Sequence, residues 1–529
     1  MSLNSDSPAF KPELHNGSRL ERDLELEADV VVVGTGAGGG MVAQILSGAG
    51  LRVVMLEEGP YRMAADFTLR EGETYADMYF EGAARKTADG GVTILQGRGV
   101  GGGTTVNWTA SFRTPRRTLE HWREAHGLKG LGEEDLSPWF ENVERLMNIQ
   151  PWALPPNSNN AALARGAQAL GWHHAVMSRN VRGCASLGFC GLGCPIDAKQ
   201  STLVAAIPQA LKQGAVLASR VRAERLLVSG DRVRGVLGTA LDDSGSRPTG
   251  RRVVVNSRAV VAAAGGINTP ALLLRSAVPD PHQLLGRRTM LHPVSASVAL
   301  MPGETDSFRG VPQSVYSDEF LWPAEPGENT APGYKLETPP VLPALVLSGM
   351  YFPRGDFRRL AGGFRSLQVM IALMRDGFHE QSPGGQVRLR DDGSPLLDYP
   401  VTPYLMEGML RSLESMARIQ FAAGAVGVIP AHMDARMGSS PEDLRRAIGN
   451  LARSTPALGV FSAHVMGGCA MGSEPRTGVV NEQGRHHQLQ NLYIMDASVF
   501  PTGLGVNPQV TIFALAARNA GALARELAP

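Results

Sequence analysis

Residues 29–39 read Asp29-Val-Val-Val-Val33-Gly34-Thr-Gly36-Ala-Gly-Gly39. A short β-branched run ending in glycines signals a buried strand that turns at its carboxyl end. Beyond the turn, Met41, Val42, Ile45 and Leu46 recur at helical spacing, and Leu51 to Leu56 form a second apolar strand closed by Glu57-Glu58-Gly59. The unit is β-α-β. Within it Gly34, Gly36 and Gly39 have the spacing of a dinucleotide turn. The first glycine permits the tight bend, the second lets a pyrophosphate approach the helix N-terminus, and the third lets helix and strand pack closely. Glu57 lies 18 residues after Gly39, where a carboxylate can accept from ribose hydroxyls; it would repel a 2′-phosphate, which disfavours NADP.

The rest of the chain bounds what such a unit can serve. The 529 residues carry 51 Lys+Arg against 50 Asp+Glu, a net charge of +1, so the basic excess on which nucleic-acid binding rests is missing. An apolar content of 43% is enough for large cores and excludes a disordered chain. The 62 glycines and 35 prolines follow no collagen period and indicate many tight turns. No apolar run is long enough to span a bilayer. Met1 to Asp6 lack the basic and apolar regions of a secretory signal. The first 100 and last 70 or so residues share a Gly-rich style that the middle lacks, which suggests one domain built from separated segments with a second domain inserted.

A second Gly-rich segment follows the first by about 60 residues: Gly97-Arg98-Gly-Val-Gly101-Gly102-Gly103-Thr-Thr105-Val-Asn107. Further on come Val260-Val-Ala-Ala-Ala264-Gly-Gly-Ile-Asn-Thr269-Pro270, His464-Val-Met-Gly-Gly-Cys469-Ala-Met-Gly472, Asn491-Leu-Tyr-Ile-Met-Asp496-Ala497-Ser498-Val-Phe-Pro501-Thr502 and Asn507-Pro508-Gln-Val-Thr511. In these segments, and in their order from residue 29 to 520, the chain resembles the glucose-methanol-choline (GMC) flavoprotein oxidoreductases. The resemblance implies an α/β fold: a Rossmann-like FAD-binding domain over 25–115, 200–290 and 455–529, an inserted α+β substrate domain over 116–199 and 291–454, and an arm over 1–24. It implies FAD along Arg98, Gly101, Gly102, Thr105 and Asn107, with Val221, Ala264, Asp496, Ala497 and Pro508 also at the cofactor. Some members tether FAD to a histidine just before the equivalent of Asn107. Val106 stands there, so the expectation is non-covalent FAD.

The resemblance also makes His464 the base that takes the hydroxyl proton and Asn507 its partner, while His292 matches a segment read as structural. The chemistry is reasonable in itself. An alkoxide is a far better hydride donor than an alcohol, and an imidazole with a pKa near 7 lowers that barrier. An amide can hold the substrate oxygen in place while the flavin carries the redox step.

Cys184, Cys190 and Cys194 fall within eleven residues. Three thiolates this close can wrap one soft metal, but they lack the C-x2-C spacing of ferredoxins. The segment resembles two branches of the family. One is the long-chain alcohol oxidases and dehydrogenases, through Cys190-Gly-Leu-Gly-Cys194 and Ala198-Lys-Gln-Ser201. The other is the bacterial sugar dehydrogenases, in which three cysteines hold a [3Fe–4S] cluster. A [3Fe–4S] cluster, structural thiols and zinc all remain open here. Cys469 reads as a small buried hydrophobe, and His486-His487 as a solvated turn.

The substrate is expected to face residues 300–380, where Val341 to Leu347, Met350 to Phe352 and Leu367 to Met374 are aliphatic and Met-rich. Such walls suit an alkyl chain better than a sugar. The expected reaction is therefore oxidation of a medium- or long-chain primary alcohol to the aldehyde. A sugar or polyol dehydrogenase with an Fe–S relay and a non-redox hydroxynitrile lyase are the alternatives. The electron acceptor is left open among quinone, cytochrome and oxygen. Phe357 to Arg365 is basic and apolar, a candidate contact with a membrane surface. The expected location is the cytoplasm or the inner membrane face, with periplasmic export on a small partner subunit as the family's other route.

Overall fold

The computed structural model describes residues 12–322, 331–348 and 354–528. Strand Leu24–Val33 runs parallel to Val53–Glu57, with Val30 opposite Val53 and Val33 opposite Leu56, and helix Ala37–Gly48 connects them. Val30 to Val33 are all buried, because this sheet is covered on both faces; that is why the run is apolar at every position rather than every second one. The eight-stranded sheet continues through Val216–Ser219 to Leu14–Asn16 on one side. On the other side it continues through Pro248–Ala262, Arg232–Leu241 and Val221–Ser229, with Leu492–Ile494 beside the end of Pro248–Ala262. Strand Leu14–Asn16 ties the segment read as an arm into the sheet edge, whereas residues 1–11 lie outside the described ones.

A second, nine-stranded sheet is built around Val294–Leu300, Leu367–Met374 and Tyr334–Glu337, all antiparallel. Helix Pro403–Ala422 packs on it, its start capped by Thr402, whose Oγ1 accepts from the Leu405 amide at 3.3 Å. Strands Val92–Ile94 and Val460–Ser462, which the sequence reading placed in the FAD segments, pair with each other and join this second sheet. Conversely, helices Arg116–His126 and Glu133–Leu146, read as part of the substrate domain, bury Leu119, Trp122, Leu136, Phe140 and Val143 in the same core as the first sheet. Their apolar stripes were visible in the sequence, but an amphipathic stripe does not say which core it joins. No helix among the described residues is long and apolar enough to cross a membrane.

Candidate active site

The glycine turn has the backbone its sequence calls for. Gly34 takes φ +94°, and a Cβ there would lie 2.4 Å from the Ala263 carbonyl oxygen. A Cβ on Gly39 would lie 1.9 Å from the Gly34 carbonyl oxygen, so helix Ala37–Gly48 can seat on its strand only with hydrogen at that position. The first turn of the helix carries no acidic side chain, leaving its amides and its positive end free for an anion. Glu57 is buried at the end of its strand. It accepts from the Thr35 hydroxyl at 2.6 Å, the Thr35 amide at 3.2 Å and the Gly59 amide at 2.9 Å, while burial pushes its carboxyl above the usual range.

From this turn a cavity of about 280 Å³ runs between the two sheets. Gly34, Gly36 and Glu57 form its near wall, and Gly102, Gly103, Thr104, Val106 and Asn107 form one side. Val221, Ala264, Asp496, Ala497 and Pro508 also line it, and His464 and Asn507 stand in the same wall. Gly39 lies behind the turn, as its packing role requires. Asp496 spends its carboxylate on local structure. It accepts from the Gly265 amide at 2.7 Å, Thr269 at 2.6 Å and the Ser498 amide at 2.8 Å, and so holds the ends of two helices toward the cavity. A backbone floor, a helix N-terminus and a carboxylate at the strand end match the parts of FAD, and the residues present fit that cofactor.

Three residues expected at the cofactor are elsewhere. The Arg98 guanidinium donates to the Gly245 carbonyl and pairs with Glu58 at 3.2 Å. Thr105 donates its hydroxyl to the Val100 carbonyl at 2.9 Å, and the Gly101 amide donates to the Thr35 hydroxyl at 3.1 Å. These residues brace the wall from behind; Thr104 rather than Thr105 is among the lining residues, with its hydroxyl donating to the Gly101 carbonyl at 2.6 Å. In a short helical turn, Gly103–Val106, adjacent residues point about 100° apart, and spacing alone could not say which one lines the cavity.

His464 follows strand Val460–Ser462, its amide donating to the Ser462 hydroxyl at 3.2 Å. Burial brings its pKa down to about 4, with Lys335 acting in the same direction and Glu337 opposing, so the ring is neutral near pH 7. Its Nδ1 lies 3.3 Å from Nδ1 of His292. His292 Nε2 accepts the backbone amides of Leu504 at 2.9 Å and Gly505 at 3.0 Å. That nitrogen therefore carries no proton, and the His292 proton sits on Nδ1, directed at His464. His292 is thus more than a structural histidine. Asp376 anchors it, accepting from the Leu291 amide at 2.8 Å and the His292 amide at 3.3 Å.

Asn507 is fixed by two residues that sequence reasoning missed. Lys335 Nζ donates to its Oδ1 at 3.1 Å, and its Nδ2 faces Glu337 Oε2 at 3.4 Å. Lys335 and Glu337 are 1% and 0% exposed and lie 2.9 Å apart, and the ammonium also sits 3.1 Å from the centre of the Phe112 ring. A signal was available: two charges at i and i+2 in Tyr334–Glu337 share one face of a strand.

Of the runs expected to face substrate, Ile371 and Leu373 of Leu367–Met374 reach the cavity, together with Val294, Phe461 and Trp108 from outside those runs. Val341, Leu342 and Val346 are buried but do not line it, and Met350 to Phe352 lie outside the described residues. In Phe357 to Arg365, Leu360 is fully buried, Phe364 stacks on Phe308 and Arg365 pairs with Glu304 and Asp306, while Arg358 and Arg359 are exposed. His486 is likewise buried rather than solvated, its Nδ1 accepting the amides of Gln488 and Leu489 at 3.1 and 3.2 Å. Cys469 is buried, as read.

The metal reading of the cysteines finds no support in the structure. Among the described residues no three His, Cys, Asp or Glu side chains are arranged to hold a metal ion. Cys184, Cys190 and Cys194 are free cysteines that line one small cleft; Cys184 Sγ accepts the Ser186 amide at 3.4 Å, and Cys190 Sγ faces the Arg179 guanidinium at 3.8 Å.

Comparison with known proteins agrees with this geometry. Family models described as GMC oxidoreductase match residues 75–294 and 381–516. The long-chain-alcohol oxidase FAO4B of Arabidopsis thaliana is 29% identical over 533 residues, spanning 96% of this chain and 69% of the relative. An uncharacterized GMC-type oxidoreductase, y4nJ of Sinorhizobium fredii, is 30% identical over 96% of this chain and 97% of its own length. Among solved structures, pyridoxine 4-oxidase from Mesorbium loti superposes with a TM-score of 0.67 at 18% identity, covering 93% of this chain and 98% of that one, which shows a shared fold. The chain belongs to the GMC oxidoreductase family and is an FAD-dependent enzyme that oxidises CH–OH groups.

Proposed function

We propose that the protein oxidises a medium- or long-chain primary alcohol to the aldehyde, with FAD held non-covalently. The observation that carries the substrate class is the apolar end of the cavity. There Val294, Ile371, Leu373, Phe461 and Trp108 pack together in the wall that also contains His464 and Asn507. Such a surface gains free energy by covering methylenes, about 0.8 kcal/mol for each one buried, and gives a sugar few partners for its hydroxyls. Relatives named as long-chain-alcohol oxidases support the same class. Val106, where a tethering histidine would stand, supports non-covalent cofactor.

Bound FAD supplies the hydride acceptor. The chain's own residues orient the carbinol and handle its proton. Lys335 and Glu337 hold Asn507 in one amide orientation, which leaves the second Nδ2 hydrogen for the substrate oxygen. His464 is the proposed acceptor of the hydroxyl proton. The His292 contact favours a second reading of its role. Nδ1 of His464 accepts from His292, so the neutral ring keeps its own proton on Nε2 and meets the carbinol oxygen as a donor that stabilises the developing alkoxide.

Anaerobic mixing of the flavin-loaded enzyme with dodecanol or with glucose tests the substrate class. Dodecanol is expected to bleach the flavin absorbance and glucose to leave it unchanged. Bleaching by glucose alone overturns the alkyl reading. Failure of any alcohol to bleach it, with cleavage of a cyanohydrin, overturns the redox reading.

A further inference from the structure

Gln313 stands in the cavity wall on a backbone that its surroundings must hold in place. Its φ is +48°, in the left-handed region that a residue with a Cβ seldom adopts. Two fully buried side chains fix the segment. Arg179 Nη1 donates to the carbonyls of Pro312 and, at 2.7 Å, Gln313, and Asn160 Oδ1 accepts the amides of Ser314 at 2.8 Å and Val315 at 3.0 Å. The Gln313 backbone amide donates to the Thr338 carbonyl at 3.2 Å, so both its backbone groups are satisfied. The residue is 3% exposed, and its side chain is fixed as well. Nε2 donates to Glu337 Oε2, the same oxygen that Asn507 Nδ2 faces at 3.4 Å. A carboxylate paired with Lys335 at 2.9 Å can only accept, so the Gln313 amide cannot turn its own oxygen that way. That oxygen, Oε1, accepts from no donor among the described residues and is not enclosed in the interior, which leaves it open to the cavity. Glu337 lies across the strand pair from Ile371, so Gln313 joins the wall where the Asn507 end meets the apolar end.

We propose that Gln313 is a further substrate-binding residue whose Oε1 accepts a hydrogen bond from a hydroxyl on the carbon next to the carbinol, which narrows the substrate to a vicinal diol carrying an alkyl tail. The inference rests on the alcohol reading given above. Asn507 and His464 engage the reacting hydroxyl, and a second hydroxyl is what remains for Gln313 to hold. A plain alkanol lays methylenes against Oε1 and strips it of hydrogen-bond partners, a loss that an apolar wall does not return. A vicinal diol supplies the donor and still leaves its tail to Val294, Ile371 and Leu373. A site built around such an acceptor discriminates against the analogue that lacks the donor. With the acceptor fixed and the carbinol held by Asn507, only one hand of the diol carries its second hydroxyl toward Gln313.

The flavin-loaded enzyme is mixed without air with octanol and with each enantiomer of the corresponding vicinal diol, and the apparent dissociation constant is read from the concentration dependence of flavin bleaching. One enantiomer is expected to bind about tenfold more tightly than octanol and than its mirror image, the usual size of one hydrogen bond to an otherwise unpartnered acceptor. Gln313→Met, which keeps the length of the side chain and removes the acceptor, should bring all three constants within about twofold of one another. The wild-type comparison stands even where the Gln313 variant fails to fold. Three equal constants in the wild type, or a preference that survives in Gln313→Met, would overturn the proposal. Wild-type flavin that none of the three alcohols bleaches overturns the alcohol reading itself, and this proposal with it.

Discussion

Replacing Lys335 by Met isolates what the buried ion pair does. Lys335 and Glu337 are 1% and 0% exposed and 2.9 Å apart. Removing the ammonium leaves Glu337 in the core with Gln313 and Asn507 as its remaining polar neighbours. Breaking one side of such a pair costs about 3–5 kcal/mol, because the other charge stays buried. Unfolding entropy scales with length, so for 529 residues melting as one unit that loss lowers Tm by about 3–5 °C. The same change frees Asn507 Oδ1, so flavin reduction by alcohol should slow. The double variant Lys335→Met/Glu337→Gln removes both charges and keeps an acceptor for Gln313; it should recover most of the lost Tm but not the lost rate. Differential scanning calorimetry and stopped-flow flavin reduction read the two effects separately. A single variant within about 1 °C of wild type, with a double variant no more stable than the single, would refute the claim that the pair is buried and coupled.

The remaining predictions concern the histidine and the glycine turn. His464→Ala should lower flavin reduction by about two to four orders of magnitude, the usual size of a lost proton-handling group, and a variant reducing at the wild-type rate removes His464 from the chemistry. Because the His464 pKa is brought down from 6.5 to about 4, the unfolded chain binds a proton that the folded one refuses in between. The stability it contributes is present above about pH 6.5 and is lost as pH falls toward 4, which acid denaturation followed at several pH values measures. In the pH profile of flavin reduction, a base at His464 gives a rate level above about pH 5, whereas a donor at His464 gives a rate that climbs with hydroxide. Gly39→Ala places a methyl 1.9 Å from the Gly34 carbonyl oxygen and should yield protein without bound flavin. Gly72→Ala, where a Cβ meets nothing within 4 Å, should stay yellow. Visible absorbance per mole of protein decides both.

The β-α-β unit was legible in the sequence because it is local. A strand, a glycine turn and a helix are adjacent in the chain, and the steric demand at Gly39 comes from the Gly34 carbonyl five residues earlier, although that at Gly34 comes from the distant Ala263. His464 and Asn507 were legible through their motifs, and both line the one cavity with the glycine turn. The division of the chain between two cores was not. Helices Arg116–His126 and Glu133–Leu146 and strands Val92–Ile94 and Val460–Ser462 each chose a partner far away in sequence. The presence of Thr104 rather than Thr105 in the cavity wall depends on the conformation of a tight turn.

The sequence by itself determined which backbone can turn tightly, which segments are apolar, and which residue types are present for the chemistry, since those properties belong to each residue and its near neighbours. Only the tertiary structure decided that His292 fills Nδ1 of His464 and that Lys335 and Glu337 hold Asn507. These are encounters between residues up to 172 positions apart. Hydrogen-bond direction and charge compensation act over a few ångströms in space, whatever the separation along the chain.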